Sequence, residues 1–379
     1  MISNKFHFPD LITRASDLRR LAQHLLQQPV LGVDTESNSL YAYQEQVCLI
    51  QFSTHQSDYL VDPLSLDSLS PLEPIFSERH IEKIFHAAEY DLICLHRDFG
   101  FEFANLFDTM WAARVVGREA IGLSSLLESE FGVKANKRYQ RANWGKRPLS
   151  QDMQADARLD THDLIPLRTR LHRELEASGR LQLAQEDFQR MERLYERSTL
   201  NGRSPDCWER INGTRDLNPQ QMAILRELCQ YREDIARHRD RPVFKVMGDN
   251  TLVSVASACP VSLEELESLP EISERHVRQH GSALLEAVKE GLNAPPIEPE
   301  PPSRPDPAYL SRMDAVRSWR KERAQSIGVE SDVVLPRDLM LEVVSQAPHT
   351  PEALEQILGE VPFRLKNYGA DLLRAVKQA

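Results

Sequence analysis

The chain has 379 residues, 46 Lys and Arg against 57 Asp and Glu, a formal net charge of −11 and 41% hydrophobic residues. At roughly 100–200 residues per domain the length predicts two to four domains, each burying its own core, and the apolar content excludes a wholly disordered chain. The acidic balance excludes a uniformly basic nucleic-acid coat, yet leaves room for a local basic groove beside a metal-binding carboxylate cluster.

No run approaches the ~18 consecutive apolar residues that span a bilayer, and residues 1–14 show no apolar stretch after a basic start. A cytoplasmic protein with no membrane partner is expected, and a monomer is favoured. Cys48, Cys94, Cys207, Cys229 and Cys259 are odd in number, widely spaced and never in a C-x-x-C pair. They read as buried reduced thiols rather than as a disulfide framework or a zinc site.

The first half begins with short β-rich runs at 30–33, 47–53, 58–61 and 83–86. The brief gap between the second and third implies a hairpin, and about twenty residues with helical patterning separate the third from the fourth. That order predicts an α/β domain with a mixed sheet, antiparallel at its start and parallel at its crossovers, and flanked by helices.

The first run leads into Asp34-Thr35-Glu36. Alternate side chains of a strand share a face, so Asp34 and Glu36 would point together with Thr35 opposed. An Asp-x-Glu alone more often marks a solvated turn than a metal site. The fourth run ends just before Asp91, at the start of a helical stretch, where an Asp is commonly a cap. Carboxylates at strand C-terminal ends also stand where α/β sheets gather ligands.

From Leu123 onward the pattern reads helical, toward a connecting helix around 184–200. Within it, residues 134–147 hold Lys134, Lys137, Arg138, Arg141, Lys146 and Arg147 with no acid, and Tyr139 and Trp144 lie among them. Cations neutralise phosphates and aromatic faces stack unpaired bases, so the stretch suits a single-stranded 3′ end, against the plainer reading of a solvated loop. Asp156 and Asp160 follow, four apart on one helix face, a like-charge pair that calls for a counter-charge, a cation or solvent.

The second half repeats itself at a constant offset of 88 residues: Arg232 meets Arg320, Pro260 meets Pro348, Leu266 meets Leu354, Gly281 meets Gly369, and Ala287-Val288-Lys289 meets Ala375-Val376-Lys377. Two copies of one small helical module are read, at 213–293 and 308–379. Between them, residues 294–307 carry seven prolines in fourteen positions, a spacer of roughly 40 Å when extended. The remainder, 1–200, forms the α/β domain with its connecting helix. No G-x-x-x-x-G-K-[ST] loop occurs, so neither a helicase motor nor a nucleotide cofactor is expected.

Several of these pieces together resemble ribonuclease D, of the DEDD 3′→5′ exonuclease superfamily. They are Val33-Asp34-Thr35-Glu36, Gln51-Phe52-Ser53, His86 through Asp91, Phe107-Asp108-Thr109-Met110, Trp144 through Leu149, and Ala157-Arg158-Leu159-Asp160-Thr161. The duplicated modules resemble HRDC domains. The resemblance implies a ribonuclease H-like exonuclease fold followed by two all-α HRDC-like bundles. It implies that Asp34, Glu36, Asp91 and Asp160 hold two divalent ions, Mg²⁺ or Mn²⁺, one activating a water and the other stabilising the departing 3′ oxygen. The implied activity is 3′–5′ hydrolysis of RNA ends, tRNA precursors among them, to 5′-nucleotides. The sequence departs from the family where a tyrosine stands four residues before the last acid, a position held here by Asp156, and again at Asp163. Either the water manages without the phenol, or Asp156 serves as a base or further ligand, or the enzyme is weakened to an RNA-binding protein; a DNA exonuclease would use the same metals.

Overall fold

The computed structural model describes residues 10–134, 138–194, 206–298 and 306–378. Strands β1 (Asp10–Ile12), β2 (Val30–Ser37), β3 (Val47–Ser53), β4 (Asp58–Val61), β5 (Glu82–Phe85) and β6 (Leu106–Asp108) form one sheet in the order β1-β4-β3-β2-β5-β6. β3 pairs antiparallel with both β2 and β4, while β1 pairs with β4, β5 with β2 and β6 with β5 in parallel. The sheet is therefore mixed as expected, with the hairpin at β3 and β4. β1 and β6 are additions that three-residue segments could not announce.

Helix α1 (Ala15–Leu25) buries Leu18, Leu21, Ala22 and Leu25, the one-faced spacing of a helix laid on a sheet. It shares one layer of core with Leu31, Val33, Phe52 and Phe85 of the sheet, with α2 (Glu73–Ser77) and with α3 (Glu89–Phe99). The helical pattern expected between β4 and β5 yields only α2 and two 3-10 turns, because Pro63, Pro71 and Pro74 each remove a backbone donor.

The opposite face carries α4 (Thr109–Val116), α5 (Leu123–Phe131), α6 (Gln151–His162), α7 (Leu164–Ala177) and α8 (Leu181–Met191). Helix is not continuous from Leu123: α5 closes at Gly132 with φ 69°, the described residues 133–134 and 138–149 carry no helix, and the Ser150 hydroxyl caps α6 by accepting from the Met153 N–H at 3.2 Å. The connecting helix expected around 184–200 overlaps α8 up to Met191, and residues 195–200 of that expected span lie outside those described.

Among its described residues the second half carries helices and no strand. The first module has α9 (Pro219–His238), α10 (Val243–Val246), α11 (Asp249–Ala258), α12 (Leu263–Glu267) and α13 (Glu274–Asn293). The second has α14 (Pro307–Ile327), α15 (Ser331–Val334), α16 (Arg337–Gln346), α17 (Pro351–Leu358) and α18 (Pro362–Lys377), and every helix starts 88 residues after its counterpart. Against the expectation of separate thiols, Cys207 and Cys229 are joined as a disulfide. The turn Cys207–Arg210 packs on α9 and brings the two Cα atoms to 6.1 Å, within bridging range. Cys48 and Cys94 are buried and lie outside the Cys207–Cys229 bridge.

The chain divides into two compact units. One joins the sheet and its helices to the second module: Ala324, Val333, Val334 and Tyr368 share a core with Leu171, Leu175 and Phe188. Arg364 is fully buried there, donating to Glu186 at 2.9 Å, to both oxygens of Asp187 at 2.9 and 2.8 Å, and to the Val333 and Val334 carbonyls. The other unit joins the first module to the β2–β3 connection, where the Tyr43 hydroxyl donates to Glu233 at 2.8 Å and the Tyr43 N–H to Asp240 at 3.0 Å.

Candidate active site

β2 sets two carboxylates on one face. Gly32, Asp34 and Glu36 share the face toward α6, because a Cβ on Gly32 would stand 2.8 Å from the Thr161 carbonyl. Glycine is what allows α6 so close, and that approach delivers Asp160. Carboxylate oxygens of Asp34, Glu36 and Asp160 all lie within 4.8 Å of one another. Thr35 points to the other face, as strand alternation requires, and its hydroxyl donates to Asp91 in the first turn of α3.

A second acid fixes the turn that carries Asp91. Ala87 adopts a left-handed φ of 62°, and the next residue, Ala88, donates its N–H to Asp108 Oδ2 at 2.7 Å. Asp108, 1% exposed, also caps α4 by accepting from the Trp111 N–H at 2.9 Å. Burial pushes its carboxyl up to about 6, held there against the pull of these N–H donors. His86 hydrogen-bonds Thr109 Oγ1 at 2.9 Å, and burial lowers its pKa to about 4, so the ring is neutral near pH 7. Sequence reasoning singled out Asp91 and missed Asp108, although an Asp directly before a helix was the available signal.

The cluster is electrostatically overloaded. Burial raises Glu36 to about 9, with Asp160, Asp91 and Asp156 adding repulsion. Burial also raises Asp91 to about 7, against the Thr35 hydrogen bond that lowers it, and raises Asp160 to about 7 with help from Asp156. Asp34 goes well above the carboxylate range through burial and the charges of Asp91, Asp160 and Glu36. Burial also raises Asp156. The charges raising these groups are all carboxylates, and a hard divalent cation with a preference for oxygen donors is the counter-charge that fits.

The basic stretch divides. Trp144, expected to stack bases, is 2% exposed and fills a pocket with Cys48, Leu49, Leu60, Leu149 and Ala157. Its indole is worth more as buried area against the sheet than as an open platform. Arg147, expected to meet phosphate, makes a two-pronged bond to Asp62, Nε to Oδ2 and Nη2 to Oδ1 both at 2.7 Å, and donates to the Cys48 and Trp144 carbonyls. These two residues pin the loop that leads into α6. Lys134, Arg138, Arg141 and Lys146 are exposed. The Arg138 guanidinium lies 5.2 Å over the half-buried Tyr139 ring, and Lys137 falls outside the described residues.

An Asp-x-Glu on a central strand of a mixed sheet, met by acids from two helices, makes a cluster of hard oxygen donors of the kind that suits divalent cations. Residues 9–176 match the family model described as 3'-5' exonuclease, and residues 221–288 and 310–376 each match the HRDC domain. The chain is 30% identical over 331 residues to ribonuclease D of Escherichia coli (strain K12), covering 86% of this chain and 87% of that protein. It is 33% identical over 305 residues to Protein RRP6-like 1 of Arabidopsis thaliana, covering 76% of this chain but 47% of that protein. The crystal structure of Escherichia coli RNase D, described as an exoribonuclease involved in structured RNA processing, matches with a TM-score of 0.70 at 29% identity, over 93% of this chain and 99% of that one. The chain belongs to the ribonuclease D family. It spans only 31% to 47% of the length of the RRP6-type relatives it matches.

Proposed function

We propose that the chain is a 3′–5′ exoribonuclease acting on RNA with a single-stranded 3′ end, tRNA precursors included, in the cytoplasm, and that it works with two divalent cations, Mg²⁺ or Mn²⁺. The observation that carries this reading is the convergence of Asp34, Glu36 and Asp160 within 4.8 Å, beside Asp91 and without an offsetting cationic side chain among the causes of their shifts.

Asp34, Glu36, Asp91 and Asp160 would hold the cations. When bound, such a pair supplies a nucleophile at neutral pH and stabilises the entering and leaving oxygens of an in-line displacement. The protein's own side chains do the rest. Gly32 admits α6, Asp108 holds the turn of Asp91, and Trp144 with Arg147 anchors the approach to α6. Lys134, Lys137, Arg138, Arg141 and Lys146 draw the phosphates of the incoming strand, and Tyr139 lends a ring face under Arg138. Asp156, in the family tyrosine's place, accepts a proton but donates none when ionised, so it orients a nucleophile less well than a phenol.

The test is digestion of RNA labelled at the 5′ or the 3′ end with Mg²⁺, Mn²⁺ or EDTA, beside Asp34→Ala. A ladder shortening stepwise from the 3′ end, absent with EDTA and in Asp34→Ala, is the expected result. Intact RNA with retained binding would identify a binding protein derived from a nuclease, and faster digestion of matched single-stranded DNA would reassign the sugar. Turnover unchanged in Asp34→Ala would mean the site is misassigned.

A further inference from the structure

Gln51, in the middle of β3, is completely buried, and neither its Nε2 nor its Oε1 has a hydrogen-bond partner among the described residues. A buried primary amide with both ends unpaired is expensive, and native structures rarely keep one without a use. Three neighbouring pairings show what this amide faces.

Gln51 is the cross-strand partner of Asp34, with Glu36 opposite Leu49 and Gly32 opposite Ser53. Directly opposed residues of an antiparallel pair project from the same face. One step along that face, Ser53 Oγ donates to Thr161 Oγ1 of α6 at 2.7 Å. One step the other way, Leu49 packs in one cluster with Ala157 of α6. Gln51 lies between these contacts, so the turn of α6 that covers it is 157–161, which carries Asp160. Its amide is thus enclosed between the strand of Asp34 and the helix turn of Asp160.

We infer that Gln51 is a positioning residue of the metal centre, its amide hydrogen-bonding the oxygens of Asp34 and Asp160 that face away from a bound cation. The inference rests on the cation reading above and adds to it a residue that touches neither cation nor RNA. An amide suits the place: it donates to a carboxylate without adding charge to a cluster already rich in acids. Residues of this kind aim the ligands, and removing one typically weakens metal binding about 10- to 100-fold.

The test compares the full-length chain with Gln51→Met, which keeps the volume and removes the amide, and with Ser53→Ala, which breaks the neighbouring contact of β3 with α6. Mn²⁺ is titrated into each by calorimetry, and the melting temperature is read in EDTA. Gln51→Met is expected to melt at or above the wild-type temperature without metal, because an unpaired polar group is gone, and to bind Mn²⁺ about 10- to 100-fold more weakly. Ser53→Ala is expected to melt lower with unchanged Mn²⁺ affinity. Wild-type Mn²⁺ affinity in Gln51→Met overturns the inference. So does an equal loss of affinity in Ser53→Ala, which would mark a general disturbance of α6, and so does a Gln51→Met chain that no longer folds, which would show the amide already bonded. If the wild-type chain binds no Mn²⁺, the cation reading itself falls, a result distinct from all three.

Discussion

Asp156 stands one helical turn before Asp160 on α6, and after burial its charge is the cause that holds Asp160 up at about 7. The same carboxylate also pushes on Glu36. Asp156→Tyr removes that repulsion and restores a phenol where the family has one. Turnover of 5′-labelled RNA with Mn²⁺ is expected to rise about tenfold or more, within the usual reach of a positioned proton-transfer group. Asp156→Asn separates the two effects: it relieves the repulsion, so the acid limb of the pH–rate profile moves to lower pH, without the gain in turnover. A profile identical to wild type in Asp156→Asn would show that the two carboxylates do not communicate.

The cluster also ties stability to pH. Unfolded carboxyls titrate near about 4, whereas folded Asp91 and Asp160 titrate at about 7 and Glu36 at about 9. Between those values the metal-free folded state holds protons that the unfolded state has released, so its stability falls as pH rises through the window. A cation bound to the ionised site reverses this cost and displaces the protons. Mg²⁺ or Mn²⁺ is therefore expected to raise the melting temperature more at about pH 8 than at about pH 5.5. Equal shifts at both pH values would contradict the assigned pKa pattern.

How much of this was legible in the residues depends on the kind of signal. The Asp-x-Glu face followed from strand alternation, and the duplicated helices from a gapless 88-residue offset that the helix starts repeat. β1 and β6 span three residues each, too few to alternate visibly. Trp144 and Arg147 looked like an RNA surface because cations and aromatics interleave there. Arg147 is engaged by Asp62 and Cys48, 85 and 99 residues away, and Trp144 is buried beside Cys48, and no local pattern reports such pairing. Asp108 and Gln51 carry no legible role in the sequence alone, since such a role exists only once the turn of Ala88 and the strand of Asp34 are in place.

Arg147 and Lys146 are neighbours with opposite expected phenotypes. Asp62 is 2% exposed as a side chain, and Arg147 is 24% exposed. Burial alone would raise Asp62, but hydrogen bonds from Arg147 and Ser65 bring its pKa below the usual value, so the pair's stabilisation is present at neutral pH and is lost as pH falls through that lowered pKa. Arg147→Ala is expected to cost about 3 kcal/mol, measured by urea unfolding, because it strands a buried carboxylate. Lys146→Ala is expected to leave stability alone and to reduce the slope of RNA affinity against salt by about 0.7, one single-strand phosphate contact. An unchanged slope in Lys146→Ala would remove that side chain from the RNA path.

Arg364 ties the second helical module to the α/β domain within one compact unit. In the first module the matching position is His276, half-buried, so the duplication has diverged at this point. Burying a guanidinium against Glu186 and Asp187 is tolerable only because both carboxylates and two carbonyls meet it. Arg364→Ala leaves two buried acids without their cation, and a loss of about 3–5 kcal/mol in unfolding free energy is expected. His276→Ala should cost about 1 kcal/mol or less. Deleting 306–379 should be harsher still, since it uncovers Leu171, Leu175 and Phe188 of the α/β domain, and it should lower the melting temperature of that domain itself. A truncated chain melting at the wild-type temperature would show that the module contributes nothing to that core.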